Sequence, residues 1–228
     1  RLQEGHIITI EDPIEYFHEH KKSVITQREV GVDTQSYATA MKNSLRQRPD
    51  VILVGEIRDR EVMEQALTIA ETGHLCLATI HTNNSYQAIE RIVNLFPEDF
   101  HAQIRLNLSL NLQAIISQRL MPSLKGGMVP AIEVMLNQGL VRELILKGEI
   151  SKIGTVMEQN STIGMCTSDP SLLRLYQEGH LDEAPVLANS DRPSDMKIKL
   201  QQAQLSGKVR PDQDTLSALD TSKIALSD

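Results

Sequence analysis

Three short apolar runs in this chain end in groups that could do phosphoryl chemistry. His6-Ile7-Ile8-Thr9-Ile10 runs into Glu11-Asp12, Val51-Ile52-Leu53-Val54-Gly55 into Glu56, and Leu75 to Ile80 into His81-Thr82. Short runs rich in β-branched residues read as buried strands, with Val51–Gly55 buried on both faces. The C-terminal ends of parallel strands lie on one edge, where open α/β sheets hold their ligands. Phosphoryl transfer needs such a meeting. One carboxylate holds Mg²⁺ through water, a second orients or deprotonates the attacking water, and a neutral donor meets the γ-phosphate. The run through Glu56, followed by Arg58-Asp59-Arg60-Glu61, has the form of a Walker-B half-site. Its usual complement, a G-x-x-x-x-G-K-[ST] phosphate loop, does not occur in these 228 residues. Gly207-Lys208 is followed by Val209, and Gly126-Gly127 by Met128.

Each feature alone also has a plainer reading. A Glu after an apolar strand is commonly a turn residue, and Glu11-Asp12-Pro13 is an ordinary proline turn. A His closing a strand is commonly a satisfied histidine, and Arg58–Glu61 an ordinary solvated helix start. Their coincidence at the ends of three strands is what favours a site.

The elements that must position these groups follow from the pattern. Pro13 turns the chain after the first strand. Residues 14–30 read as extended connections, with Ser23–Gln27 as a short strand. Helical spacing covers Tyr37–Gln47, with Ser36 or Thr34 as N-cap, then Glu61–Glu71 up to Gly73, then 85–95 up to Pro97. Residues 101–119 read as one long amphipathic helix, and Val129–Met135 as a strand. Beyond 137 the pattern is helical at 138–147, 149–160 and 170–179. The fold class is therefore α/β, a mostly parallel sheet flanked by helices and followed by a helical region. The expected division is 1–136, 137–200, and a polar, disordered tail over 201–228.

Composition narrows the function. Net charge is −7, which argues against a broad nucleic-acid surface. Two cysteines in no C-x-x-C pair argue against structural zinc or a disulfide framework. Aromatic residues make up 3% of the chain, leaving little for stacking platforms. No apolar run approaches the roughly 20 residues that span a bilayer. Arg1-Leu2-Gln3-Glu4-Gly5 reads as a helix end with a glycine stop, so the chain reads as a piece preceded by further sequence, including any phosphate loop.

These segments together resemble the ATPases of type IV pili and type II secretion. Ile8-Thr9-Ile10-Glu11-Asp12-Pro13-Ile14-Glu15-Tyr16 is similar to the family's aspartate box, and Gln27-Arg28-Glu29-Val30-Gly31 to the segment after it. Leu45-Arg46-Gln47-Arg48-Pro49-Asp50 through Asp59 resembles the Walker-B region. Glu71-Thr72-Gly73-His74-Leu75 with Thr79-Ile80-His81-Thr82-Asn83 resembles the histidine box. Arg91-Ile92-Val93, Phe96-Pro97 and Ile116-Ser117-Gln118-Arg119-Leu120 continue the likeness, which runs from about residue 6 to 200. The four-cysteine insertion of the assembly-type relatives is missing. Leu140–Ile145 resembles the A-I-R-N-L-I-R-E motif of the PilT/PilU retraction branch, departing at Leu140, Glu143 and Leu146. Those departures and the polar tail resemble the PilU-like members more than the PilT-like ones.

The resemblance implies a RecA-like P-loop NTPase core, incomplete at its N-terminus, in a homo-hexameric ring that uses ATP and Mg²⁺. Glu11 matches the water-activating carboxylate, and Glu56 the acid near Mg²⁺. Asp12 and Glu15 complete the aspartate box, His81 and His74 match the histidine box, and Arg58 falls beside the nucleotide. The implied setting is the cytoplasm of a bacterium at the inner face of the inner membrane. The implied partners are the pilus platform protein and a paralogous retraction ATPase, with membrane association only through partners. Alternatives are a type II secretion or conjugative relative, and an accessory ring subunit with little turnover of its own. In the 138–147 helix, Leu140, Leu144 and Val141 are spaced to pack inward, leaving Arg142 and Glu143 outward. Arg142, with Leu140 and Leu144, is the candidate partner surface; the plainer reading is a solvated surface helix.

Overall fold

The computed structural model describes residues 4–206. They form two units, one of 4–81 with 90–112 and one of 82–89 with 113–206.

The first unit is built on a four-stranded, wholly parallel sheet of order β2-β1-β3-β4. The strands are β1 (Gly5–Glu11), β2 (Ser23–Glu29), β3 (Val51–Val54) and β4 (Leu75–Ala78). Gly5 opens β1, and residues 1–3 of the helix end expected before it lie outside the described residues. Ile8 pairs with Ile52 and Ile10 with Val54, and all four are fully buried. Helix α1 (Tyr37–Ser44) lies against β1, and α2 (Arg60–Glu71) against β4. Ser36 caps α1 by accepting from the Thr39 N–H, and Asp59 caps α2 by accepting from the Val62 N–H at 2.9 Å. The unit also contains α4 (His101–Asn111) and the C-terminal part of α3 (Ser85–Asn94).

Two strands are less enclosed than their sequence suggests. In β3 fully buried residues alternate with half-buried ones, so only one face is sealed. β4 is an edge strand, and its Leu75 and Leu77 are exposed. An apolar run cannot by itself report how many neighbours the strand has.

In the second unit β5 (Ala114–Pro122) and β6 (Met128–Leu136) form an antiparallel hairpin. The helix expected over 101–119 therefore stops at Asn111, and its second half is strand. Pairing of Ala114–Pro122 with Met128–Leu136 decides the matter, because partnering outweighs local preference. Helices α5 (Leu140–Lys147), α6 (Ile153–Gln159), α7 (Ser168–Gln177), α8 (Glu183–Asn189) and α9 (Pro193–Leu205) follow. Met121 and Ala131 of the hairpin share a core with Leu172, Leu175, Val186 and Leu200. The hairpin thus belongs with the C-terminal helices, whereas the sequence reading set the division at 136. Residues 201–205, expected in the tail, continue α9. The remainder of that expected tail, 207–228, lies outside the described residues.

Candidate functional site

The parallel register brings the C-terminal ends of β1, β3 and β4 to one edge. The Gly55 N–H donates to the Ile10 carbonyl at 2.7 Å, and the Ile57 N–H to the Thr79 carbonyl at 2.9 Å. The Thr79 hydroxyl donates to the Gly55 carbonyl. Three strand ends are thus tied together just before their chemical groups emerge. Gly55 is required by this closeness: a Cβ there would lie 3.0 Å from the Ile10 carbonyl oxygen, 3.1 Å from the Tyr37 hydroxyl and 3.2 Å from the Glu11 Cα.

Glu56 is the hub. Its Oε2 accepts from Arg58 Nε at 2.6 Å, and its Oε1 lies 2.9 Å from His81 Nε2. Arg58 Nη1 reaches Asp12 Oδ2 at 3.5 Å. The Glu56 side chain is 18% exposed while that of His81 is 78% exposed, so a sheltered acid is held by groups standing in solvent. The Glu56 hydrogen bond raises the Arg58 pKa further above its ordinary value. Tyr37, at the start of α1, faces the same cluster. Burial, then the Asp12 carboxylate, pushes its phenol above its ordinary value, so it stays a neutral O–H donor near neutral pH.

Glu11 is held differently. Its Oε1 accepts from the Thr9 hydroxyl at 2.5 Å and from Gln27 Nε2 at 3.0 Å. Among the described residues no group donates to Oε2. That leaves one carboxylate oxygen fixed and one available to a water.

The structure thus brings Glu11, Asp12, Glu56 and His81 to one edge, as the strand-end pattern predicts, and adds Arg58 from the run after Glu56. It does not gather two others. Glu15 is exposed and without a partner among the described residues. His74 precedes β4, bonding Thr72 Oγ1 at 3.0 Å, while His81 follows that strand. At ~3.3 Å per residue they stand at opposite sheet edges, so one chain cannot bring both to one ligand. The α5 expectation is corrected in part. Val141 and Leu144 are buried, but Leu140 is 51% exposed. Leu144 therefore serves the core, and the outward face is Leu140, Arg142 and Glu143. Tyr37 and Gln27 were not singled out as site residues by sequence; a strand register and a helix start recruit them from a distance.

The donors at this edge are carboxylates, the hard oxygen ligands that suit Mg²⁺. Among the described residues no three His, Cys, Asp or Glu side chains group closely enough to cage a metal. Such an edge fits an ion that keeps its waters and takes other ligands from phosphate. Glu56 would be the residue to hold such an ion, which would supply charge stabilisation on the phosphoryl oxygens.

A family of type II/IV secretion system proteins matches residues 1–160. The chain belongs to this family. Among its curated members, the type IV pilus ATPase PilU of Pseudomonas aeruginosa is 48% identical over 216 residues, covering 94% of this chain and 55% of that protein. The type IV pilus retraction ATPase PilT of the same organism is 43% identical over 174 residues, covering 76% and 51% respectively. A crystal structure of the pilus retraction motor PilT with bound ADP superposes with a TM-score of 0.80 at 43% identity, over 87% of this chain and 56% of that one. The chain spans about half the length of the curated relatives it matches. Family membership fixes the fold class as α/β, with a parallel sheet flanked by helices and C-terminal helices beyond it.

Proposed function

We propose that this chain carries the hydrolytic acids of an ATP-driven type IV pilus motor subunit, a PilU-like retraction ATPase that works as a homo-hexamer. The observation that carries the reading is the pair of differently held carboxylates on adjacent strand ends. Glu11 keeps one unengaged oxygen for a water, and Glu56 is poised between two cationic or donor groups. In this mechanism Glu11 orients and deprotonates the attacking water. Glu56 holds the hydrated Mg²⁺. Arg58 and His81 keep Glu56 in place and can exchange to phosphate oxygens when ATP arrives, so their pairing reports nucleotide state. Asp12 anchors Arg58. Tyr37 offers a neutral donor at the same edge.

The relatives' names, pilus ATPases of the PilU and PilT kind, support the motor reading. The longer match to PilU supports the PilU-like branch. Hydrolysis would drive pilus retraction and twitching motility from the cytoplasmic face of the inner membrane, through the platform protein and a paralogous ATPase. No helix among the described residues is long and apolar enough to cross a membrane. Arg142, on the outward face of α5, would contribute to a partner surface.

The test is phosphate release by the full-length protein. Glu56→Gln should lower kcat by at least ~100-fold, the scale on which one positioned charged group acts in phosphoryl transfer. Equal phosphate release from wild type and Glu56→Gln would overturn the reading.

A further inference from the structure

Glu11 owes its orientation to a neighbour on another strand. Gln27 lies directly across from Thr9 in the parallel β1–β2 register, and Glu11 follows Thr9 by two. Alternation along a strand puts Thr9, Glu11 and Gln27 on one face of the sheet; a slip of one residue would turn Gln27 to the other face. The Gln27 amide spends both N–H bonds, one on Glu11 Oε1 at 3.0 Å and one on the Tyr16 carbonyl at 2.9 Å. Its own oxygen accepts from the His18 N–H at 2.7 Å. Two acceptors on one side and a donor on the other fix which way the amide points.

We propose that Gln27 is a positioning residue for hydrolysis, a single amide that fixes Glu11 and locks it to the 16–18 loop. This rests on Glu11 being the water-activating carboxylate. Thr9 and Gln27 both donate to Oε1, so the carboxylate is held in one orientation and its second oxygen stays available at the end of β1. A general base gains from such fixing because misdirection of an angstrom costs rate while leaving binding unchanged. The same amide makes the loop part of the device. Tyr16 and His18, whose rings meet edge to face at 5.1 Å, cannot move away together without releasing Glu11.

The experiment is steady-state ATP hydrolysis by the full-length protein, with KM, kcat and the pH profile read separately. Gln27→Leu should lower kcat about 10- to 100-fold while KM for ATP moves less than about twofold. In the Glu11→Gln background, Gln27→Leu should cause no further loss, since the two act as a unit. Gln27→Glu supplies a second reading that does not depend on the leucine variant folding. It keeps the side chain's size and an acceptor for His18, but can donate to Glu11 only when protonated. Its kcat should therefore rise as pH falls through the titration shared by the two carboxyls, a limb that wild type lacks. A Gln27 that merely braces the loop would give Gln27→Glu a pH profile parallel to wild type and additive losses in the double variant, and either result overturns the proposal. Wild-type hydrolysis in Glu11→Gln alone would instead remove the reading on which it rests.

Discussion

Two glutamates, one inside a strand and one just past a strand end, have opposite fates in this molecule. Glu133, inside β6, is 3% exposed, and its Oε1 accepts from the Ser85 N–H at 2.7 Å and the Ser85 hydroxyl at 2.5 Å. It closes the N-terminus of α3 together with Asn84, whose side chain accepts from the Gln87 N–H. Glu56 is more open and is held by the exposed side chains of Arg58 and His81. The first acid has traded water for fixed donors at a helix N-terminus, where negative charge is favoured. The second keeps partners that can be exchanged for a ligand. The contrast separates a structural carboxylate from one suited to chemistry: both are paired, but only one can release its partners at small cost. Arg119 belongs with the structural group. It is 18% exposed and donates to the carbonyls of Asn83 and Asn189 at 3.1 and 2.6 Å, and to Asp191 at 3.4 Å.

Substitutions should divide along this line. Glu133→Ala strands two Ser85 donors in the interior, so a loss of about 2–4 kcal/mol is expected in denaturant unfolding. An unchanged midpoint would dissolve the contrast. Gly55→Ala pushes a methyl against the β1 backbone and the Tyr37 hydroxyl, at about 1–3 kcal/mol and with loss of hydrolysis. Relief in Gly55→Ala/Tyr37→Phe would trace the effect to Tyr37. Arg119→Ala should cost about 1–3 kcal/mol, measured the same way. Arg58→Ala, which takes an exposed guanidinium away from Glu56 and Asp12, should leave the unfolding midpoint nearly unchanged, since pairs made by a solvent-exposed cation contribute little, yet alter ATP turnover.

A pH test sharpens the same point for a half-buried group outside the site. Burial pushes the Cys76 thiol up to about 11, so the fold holds it neutral. A raised acid pKa contributes stability below the unfolded thiol's value of ~8.5, lost as pH rises from there toward 11. Native alkylation of Cys76 at pH 8 should run more than about 100-fold slower than in denaturant. Comparable rates would contradict its enclosure.

Much of this was legible beforehand, for identifiable reasons. The strand-end acids showed because a short apolar run and the charge ending it are both local signals. Ser36 showed as a cap-type residue at a helix start, whereas the Asp59 cap emerged only with the structure. What escaped depends on partners distant in sequence. Ala114–Pro122 carries apolar residues at spacings that fit a helix as well as a strand, and only Met128–Leu136 settles it. Leu75–Ala78 reads as buried until the sheet order makes it an edge. Gln27 and Tyr37 gain their roles from a register and a helix placement that no spacing rule contains. Leu140 and Leu144 share a helix face by spacing, yet only Leu144 meets a core.

The central claim is that Glu11 activates the attacking water while Glu56 holds the ion. It is tested most directly by Glu11→Gln in the full-length protein, with ATP binding and single-turnover phosphate release measured on the same sample. Binding within about twofold of wild type, with release slowed at least ~100-fold, is the predicted result. Release at the wild-type rate with binding intact would contradict it.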